Sequence, residues 1–580
     1  MALAGCESNA AEVVEGERDA GHTPDAEVVP AVTPDAGSDA DSSSAPIDPS
    51  VPCPLLVPTK TLSGSIDEDS RWSGIIAVTD NVSVVGAATV EIAPGTTFIM
   101  DADTRIGFGW NSSAPSLFAR GTAALPIRVC GKQPVPGYHR GLLFEHKVKS
   151  DSVLEHVIIS DAGGSDLPSL TISSALAVQD VRIENAAADG VRASDFGPDS
   201  TRLVVRGVAG APVVLTEPGA ASHFPSDSLF DNNVQSVVGV DFSGIDSSTT
   251  FKAIGLPYEL REGLSVFDAT LTVEAGVTFR FAVDSLFELG WNSAKSTLLM
   301  QGTADRPIVL ERASAAAPWQ GIHANSKVTT SSVFSHVTIR GAGGLDRPAL
   351  TLLASVTLDH VTLEDNQTLG LKLTAALSER SQALTITGTD GPPAETSLNT
   401  AVSLPADGHY SGNNEDWIVV DGTGFTSQGI LHHLDVPYRV VDSLSGLDGS
   451  ELTIEAGTTL QMAPDVLFEL GWNSAIAKLH AVGTAANKIT FRGVSEVAGS
   501  WRGLLINSKV PSDSVLDYVE IRHAGRMNEA ALTLKRPFNV TNTAISGSAG
   551  YAIATHDTDT TDYTQNNTLD GNAQGAIAPL

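Results

Sequence analysis

The sequence predicts an all-β parallel solenoid, in which short strands wind about one axis in stacked coils. Three observations carry this reading. The chain repeats itself at a fixed period: Leu286-Phe287-Glu288-Leu289-Gly290-Trp291-Asn292-Ser293-Ala294 returns as Leu467-Phe468-Glu469-Leu470-Gly471-Trp472-Asn473-Ser474-Ala475, and Ile106-Gly107-Phe108-Gly109-Trp110-Asn111-Ser112 is a looser copy. Within a copy, apolar segments of three to six residues are interrupted by Gly, Asn, Asp or Pro at intervals in the low twenties or under. That spacing is too tight for βαβ units, whose crossover alone takes about a dozen residues. Finally, the third copy is short by 22 or 23 residues: Asn232, Asn413 and Asn572 follow the middle glycine of their Ala-Gly landmarks by 69, 70 and 47 residues. Loss of one coil is something a solenoid tolerates and a globular domain does not.

The bulk numbers set outer limits. Lys and Arg total 35 against 68 Asp and Glu, a net charge of −33. No basic surplus exists to neutralise phosphates, so nucleic acid is excluded as a partner. No apolar run reaches the roughly 18 residues that a membrane helix needs.

In chain order, Leu3-Ala4-Gly5-Cys6 matches the bacterial lipobox, which makes Cys6 a candidate for lipidation. Only five residues precede Cys6, whereas a secretory signal needs a charged segment and an apolar stretch of about 7–15 residues. The expectation is a start further upstream or a trimmed chain. Residues 7–53 form a linker, with eleven acidic residues against Arg18 and a filling of Ala, Pro, Gly and Ser. Such a segment cannot bury enough apolar surface to offset its chain entropy and is expected to be disordered, a tether that stands the folded part off a membrane.

Three copies follow, at 54–240, 241–421 and 422–580, with the last about one coil shorter. Gly95, Gly276 and Gly457 keep the 181-residue period, as do Gly121-Thr122-Ala123, Gly302-Thr303-Ala304 and Gly483-Thr484-Ala485. Next come Arg140-Gly141-Leu142, Gln320-Gly321-Ile322 and Arg502-Gly503-Leu504, then Ser152-Val153-Leu154, Ser332-Val333-Phe334 and Ser514-Val515-Leu516. At roughly 20–25 residues per coil each copy holds about eight coils, and at about 4.8 Å per coil the whole makes a rod on the order of 100 Å long.

The run Leu452-Thr453-Ile454-Glu455-Ala456-Gly457-Thr458, then Gly483-Thr484-Ala485, Trp501-Arg502-Gly503-Leu504 and Ser514-Val515-Leu516-Asp517-Tyr518-Val519, resembles bacterial right-handed parallel β-helix repeat proteins over about residues 60–580. The lipobox and acidic Pro/Ala linker are similar to those of myxobacterial surface lipoproteins. The resemblance implies a right-handed helix of coils, export and a lipid-held position on the cell envelope, with the outer membrane the expected site. It also implies a choice between a binding scaffold and a polysaccharide lyase or glycoside hydrolase.

The residues weigh that choice. Hydrolysis needs two carboxylates about 5–9.5 Å apart, and a lyase needs a base with charge neutralisation, often by Ca²⁺. No dense acidic cluster with a one-coil spacing is present, and no metal-ligand spacing, so neither metal nor cofactor is expected. An enzyme needs one site, so groups present in every copy read as structural or as repeated contacts. Trp110, Trp291 and Trp472 are of this kind, with packing against a turn weighed above carbohydrate stacking. Lys147, Lys327 and Lys509, each followed by Val, read as solvated edge charges or as parts of the same contact. Asn111, Asn292 and Asn473 suit left-handed turns.

The best candidate for a catalytic cluster particular to one copy is Tyr138-His139-Arg140 with Glu145, His146, Asp151, Glu155 and His156 in copy one, although His336 repeats one member without the other groups; His432-His433 is a second, smaller cluster. Both are expected to be structural or solvated. Cys53 and Cys130 can pair in an oxidising compartment if their Cα atoms come within about 7 Å, which spacing alone does not decide. The expected function is a lipid-anchored surface scaffold with a repetitive face for a glycan or a surface protein, touching the membrane through its lipid alone. The alternative is a β-helix lyase or hydrolase.

Overall fold

The computed structural model describes residues 51–580 apart from Trp291, Ser293 and Ser427, and omits the side chain of Ser112. Cys6 and residues 7–50 of the linker lie outside the described residues. From Lys60 onward the chain is a parallel β-solenoid of about 21 turns. Each turn crosses three faces. In the first copy these carry, for example, Thr97–Met100, Ile106–Phe108 and Ser116–Arg120, and each strand pairs in parallel with its counterparts in neighbouring turns. No described helix is long and apolar enough to cross a membrane. Among the described residues the two α-helices, Pro218–Ser222 and Leu398–Ala401, are single turns of chain at matching places in two copies.

The strands are short because each face is only as wide as two inward side chains. Thr270–Val273 alternates outward Thr with buried Leu271 and Val273, and the pattern recurs in Thr278–Phe281, Leu286–Leu289 and Leu467–Leu470. The inward residues form one continuous apolar column. Its largest fully buried members, Trp319 and Trp501, donate their indole N–H to the carbonyls of Arg340 (3.1 Å) and Arg522 (2.8 Å). Trp319 stacks on Phe281 with ring centres 4.1 Å apart. Buried indoles need such a partner, since an orphaned N–H is costly.

Corners are where the column admits polar groups. Ser152, Ser332 and Ser514, repeated landmarks of the sequence, are buried and accept the backbone N–H of Leu117, Leu298 and Leu479 in the preceding turn, at 3.1, 3.1 and 3.3 Å. A second corner is turned by a left-handed residue: Asp161, Asn185, Gly207 and Asn232 in the first copy, Gly341, Asp365, Gly388 and Gly412 in the second, His523, Gly547 and Gly571 in the third. The third series is one turn shorter than the others. Behind its last members, the Asn233, Asn413 and Asn572 side-chain oxygens accept the N–H of Val208, Thr389 and Ser548 at 3.2, 3.0 and 3.0 Å. The geometric counterpart of Asn413 is therefore Asn233 rather than Asn232, which turns the corner itself.

The copies do not contain the expected eight coils. Seven successive pairings on one face carry the chain from residues 82–84 to Tyr258–Leu260. The counterpart of Tyr258 one period earlier is Ala77, whose segment pairs with Thr97–Met100 on the preceding face. A copy thus takes seven turns and one face more. The pairings show the offset directly. Thr278–Phe281, counterpart of Thr97–Met100, continues the column that holds Ile106–Phe108. Leu286–Leu289, counterpart of Ile106–Phe108, stands on the next face, and Leu467–Leu470 on the third. The estimate of eight failed because turn length varies, from 16 residues between Lys60 and Ile76 to 36 between Ile106 and Leu142.

Before the first coil, Cys53 begins a 3-10 turn (Cys53–Leu55) that lies on the outside of the strands Thr97–Met100 and Ile127–Gly131. Cys53 and Cys130 are bonded, with Cα atoms 6.4 Å apart, and the Arg128 guanidinium donates to the Val51 carbonyl at 2.7 Å. Closing this 77-residue separation removes about 4.5 kcal/mol of chain freedom from the unfolded state, in the loop-closure account. Cys130→Ser is therefore expected to lower protection of the first four turns by about that amount. Native-state hydrogen exchange on Thr97–Met100 and Ile127–Gly131 checks it, and unchanged exchange there would contradict the expected stabilisation.

Candidate functional site

The repeated Gly-Trp-Asn-Ser stretch is a corner. In each copy the strand ends at a left-handed glycine, Gly109, Gly290 or Gly471, with φ of 87°, 74° and 73°. The following Asn111, Asn292 and Asn473 are also left-handed, as their residue type suggests. A side chain on the glycine would crowd the next turn: Val148, Val328 and Val510 stand 3.1, 3.5 and 3.2 Å from where its Cβ would be. Those valines are buried and explain the Lys-Val pairs. Lys147, Lys327 and Lys509 are exposed and stand in turns with coils on both sides, not on a free sheet edge, so edge blocking has nothing to act on.

The indoles at this corner face water. Trp110 is 47% exposed and Trp472 51%, whereas Trp319 and Trp501 are fully enclosed. Trp291 lies outside the described residues.

Beside the indole, the copies differ in one feature. In the second copy the outward residue of the strand is Glu288, which accepts from Asn325 of the next turn at 2.9 Å. In the third copy Glu469 accepts from Asn507 at 2.6 Å, and the Asn507 oxygen accepts from Lys535 at 2.9 Å. Polar groups there satisfy one another from turn to turn. In the first copy the two positions are Gly107 and Glu145. Gly107 leaves a cavity of about 180 Å³ lined by Ser83, Arg105, Trp110, Leu143 and Glu145, with Asn81 at its rim. The Arg105 guanidinium is half-buried and has no ion-pair partner among the described residues; burial, then the nearby Arg140, pulls its pKa down, and Glu145 opposes them. Asn81 accepts the Arg105 backbone N–H at 3.0 Å.

The copy-one cluster does not assemble. His139 is fully buried, donates from Nε2 to the Ser160 carbonyl at 2.8 Å and accepts the Gly141 N–H on Nδ1 at 3.1 Å. Its backbone carbonyl accepts from Gly164 just as those of Trp319 and Trp501 accept from Gly344 and Arg526. His139 is thus the first copy's version of the buried tryptophan. His146 is exposed and bonds the Ser173 carbonyl at 3.0 Å, while Asp151 accepts from Ser116 at 3.2 Å. His156 turns a left-handed corner 4.0 Å from Asp180. His432 and the His433 N–H both engage Glu455, at 3.3 and 2.8 Å.

An open trough of about 490 Å³ runs past His156, Asp180, Arg182 and Arg202. Its lining includes one carboxylate, Asp180, 3.6 Å from Arg202. A two-carboxylate hydrolysis finds no pair there. Among the described residues no group of three or more His, Cys, Asp or Glu side chains could hold a metal ion. In comparisons with known proteins, no family model, no curated protein and no solved structure matches this chain significantly.

Burial holds the His139 imidazole below its ordinary pKa, with the Ser160 hydrogen bond and Asp161 working the other way. The unfolded chain therefore takes up a proton first as the medium acidifies. The resulting stabilisation is complete above about pH 6.5 and is lost as pH falls toward the lower folded value. His139→Trp, which copies the other two repeats, is expected to remove this part of the acid sensitivity. Denaturation midpoints at pH 7 and pH 5 test it: an equal drop in both proteins would mean that His139 does not carry the effect.

Proposed function

We propose that this chain is a non-catalytic binding scaffold of the cell envelope, held by a lipid on Cys6 and stood off by its acidic linker, with glycan or surface-protein partners engaged at the solenoid corners. The observation that carries the reading is the half-exposed indole at equivalent corners, Trp110 and Trp472, the two large aromatics most exposed among the described residues, whereas Trp319, Trp501, Tyr258 and Tyr438 are enclosed. An exposed indole offers a rigid apolar face with little entropy to lose on binding. The one-face offset between copies replaces the expected repetitive face. Strands that lead into the three corners stand on three different faces, about 35 Å apart along the axis at about 4.8 Å per turn. Such contacts bridge partners around the rod, or hold a flexible chain that wraps it, and do not lie flat on one surface.

Screening the full chain on a glycan array and against whole cells tests the reading. Binding that falls about tenfold or more in Trp110→Ala/Trp472→Ala is the expected result, given the weight that aromatic anchors carry in interfaces. Two empty screens would remove its support. For the anchor, metabolic labelling with palmitate is expected to mark the wild type and not Cys6→Ser; equal label in both rules the anchor out.

A further inference from the structure

We infer that Lys535 and Asn507 become joined covalently, by an amide bond between the lysine Nζ and the asparagine Cγ that ties two neighbouring turns of the third copy. The inference does not depend on what the corners bind. It comes from three structurally equivalent ladders. Glu145, Asn325 and Asn507 donate their backbone N–H to the carbonyls of Phe108, Leu289 and Leu470 in the preceding turn, at 3.0, 3.0 and 3.1 Å. One turn further on, Ser173, Leu353 and Lys535 donate theirs to Phe144, Ala324 and Ile506, at 2.8, 2.9 and 3.0 Å. With the outward strand residue that precedes them, the ladders hold Gly107, Glu145 and Ser173 in the first copy, Glu288, Asn325 and Leu353 in the second, and Glu469, Asn507 and Lys535 in the third. Of the three, the last alone brings a carboxylate, an amide and an amine together.

The amide is held in one orientation. Both Nδ2 protons of Asn507 have acceptors, the Glu469 carboxylate at 2.6 Å and the Leu470 carbonyl at 3.1 Å. Oδ1 is therefore the atom turned to Lys535, whose Nζ donates to it at 2.9 Å. A carbonyl bond of about 1.23 Å then puts Nζ within about 4.1 Å of Cγ, and a small rotation of the lysine's last torsion reaches the roughly 3–3.5 Å from which bonds form. Asn507 is 9% exposed, so water has little access to its carbonyl carbon, whereas Lys535 is exposed and can shed a proton to solvent. The neutral amine adds to Cγ, and the Cγ–Nδ2 bond then breaks. Glu469, already bonded to Nδ2, carries the proton that the attacking nitrogen gives up to the departing one. In balance, a lysine ammonium and an asparagine amide become a secondary amide and one ammonium ion, with no electron transferred and the carboxylate regenerated. Each solenoid turn leans on its neighbours, so an amide between turns halts unravelling that reaches it from the C-terminal side.

Tryptic mass spectrometry of the purified full chain tests this. Trypsin does not cut after an acylated lysine, so residues 503–509 are expected to emerge joined to 527–580. The joined peptide should be lighter than the sum of its two parts by one ammonia, about 17 Da, and its fragments should place the link at Asn507 and Lys535. Without the bond the same digest gives 503–509 free and a cut after Lys535. Lys535→Leu, which copies the second repeat, is expected to release 503–509 free with an unchanged circular dichroism spectrum. In Glu469→Gln the joined fraction should fall about tenfold or more, as loss of a proton carrier implies. Separate peptides in the wild type, or fragments that place the link elsewhere, overturn the inference, and neither result needs a variant to fold. A joined 503–509 in Lys535→Leu overturns it as well, and full joining in Glu469→Gln overturns the part assigned to Glu469.

Discussion

Every structural feature here depends on one constraint: a turn of this solenoid cannot satisfy itself. The N–H and carbonyl groups of its strands find partners in the turns on either side, and its inward side chains are covered by equivalent side chains above and below. Register is therefore enforced at each step, because slipping one residue would turn Leu271 and Val273 outward and bring Thr270 and Thr272 in. The polar residues that penetrate the column sit at corners and serve a neighbouring turn, as Ser332 serves Leu298 and Asn413 serves Thr389. Side chains are thus selected for the turn they touch as much as for the turn they belong to.

Much of the fold was legible because the same constraint writes a local signature. Short alternating runs broken by turn residues identify the class, and a 181-residue self-match identifies landmarks whose repetition has a structural cause, such as the Ser152, Ser332 and Ser514 acceptors and the left-handed Asn111 and Asn473. What stayed hidden depends on path length between strands. Loops of unequal size let a turn span 16 or 36 residues without changing the pitch, so counting residues cannot count turns, nor show that the period ends one face out of step. The route that brings Cys53 to Cys130 is equally invisible, since it belongs to no repeat.

The candidate site was legible in pieces. Gly107 is legible as a position where the first copy lacks the carboxylate of the other two, and the cavity beside it is completed by Leu143 and Glu145 of the neighbouring turn. His139 shows the opposite failure. As a letter in a cluster of titratable residues it suggests chemistry, and as a buried group it fills the place of an indole. Its frame, His139-Arg140-Gly141 against Trp319-Gln320-Gly321 and Trp501-Arg502-Gly503, held the signal that would have identified it.

The extra third of a turn has a bearing on inheritance. Duplicating a unit of this length preserves the interior, because each face accepts the same inward residues. It sends the exterior of the new unit off in another direction. A contact surface is therefore not extended by duplication; it is re-aimed. Each unit is free to keep a side-chain hydrogen bond between turns at its corner, as Glu288 with Asn325 and Glu469 with Asn507 do, or to change those residues independently of the others.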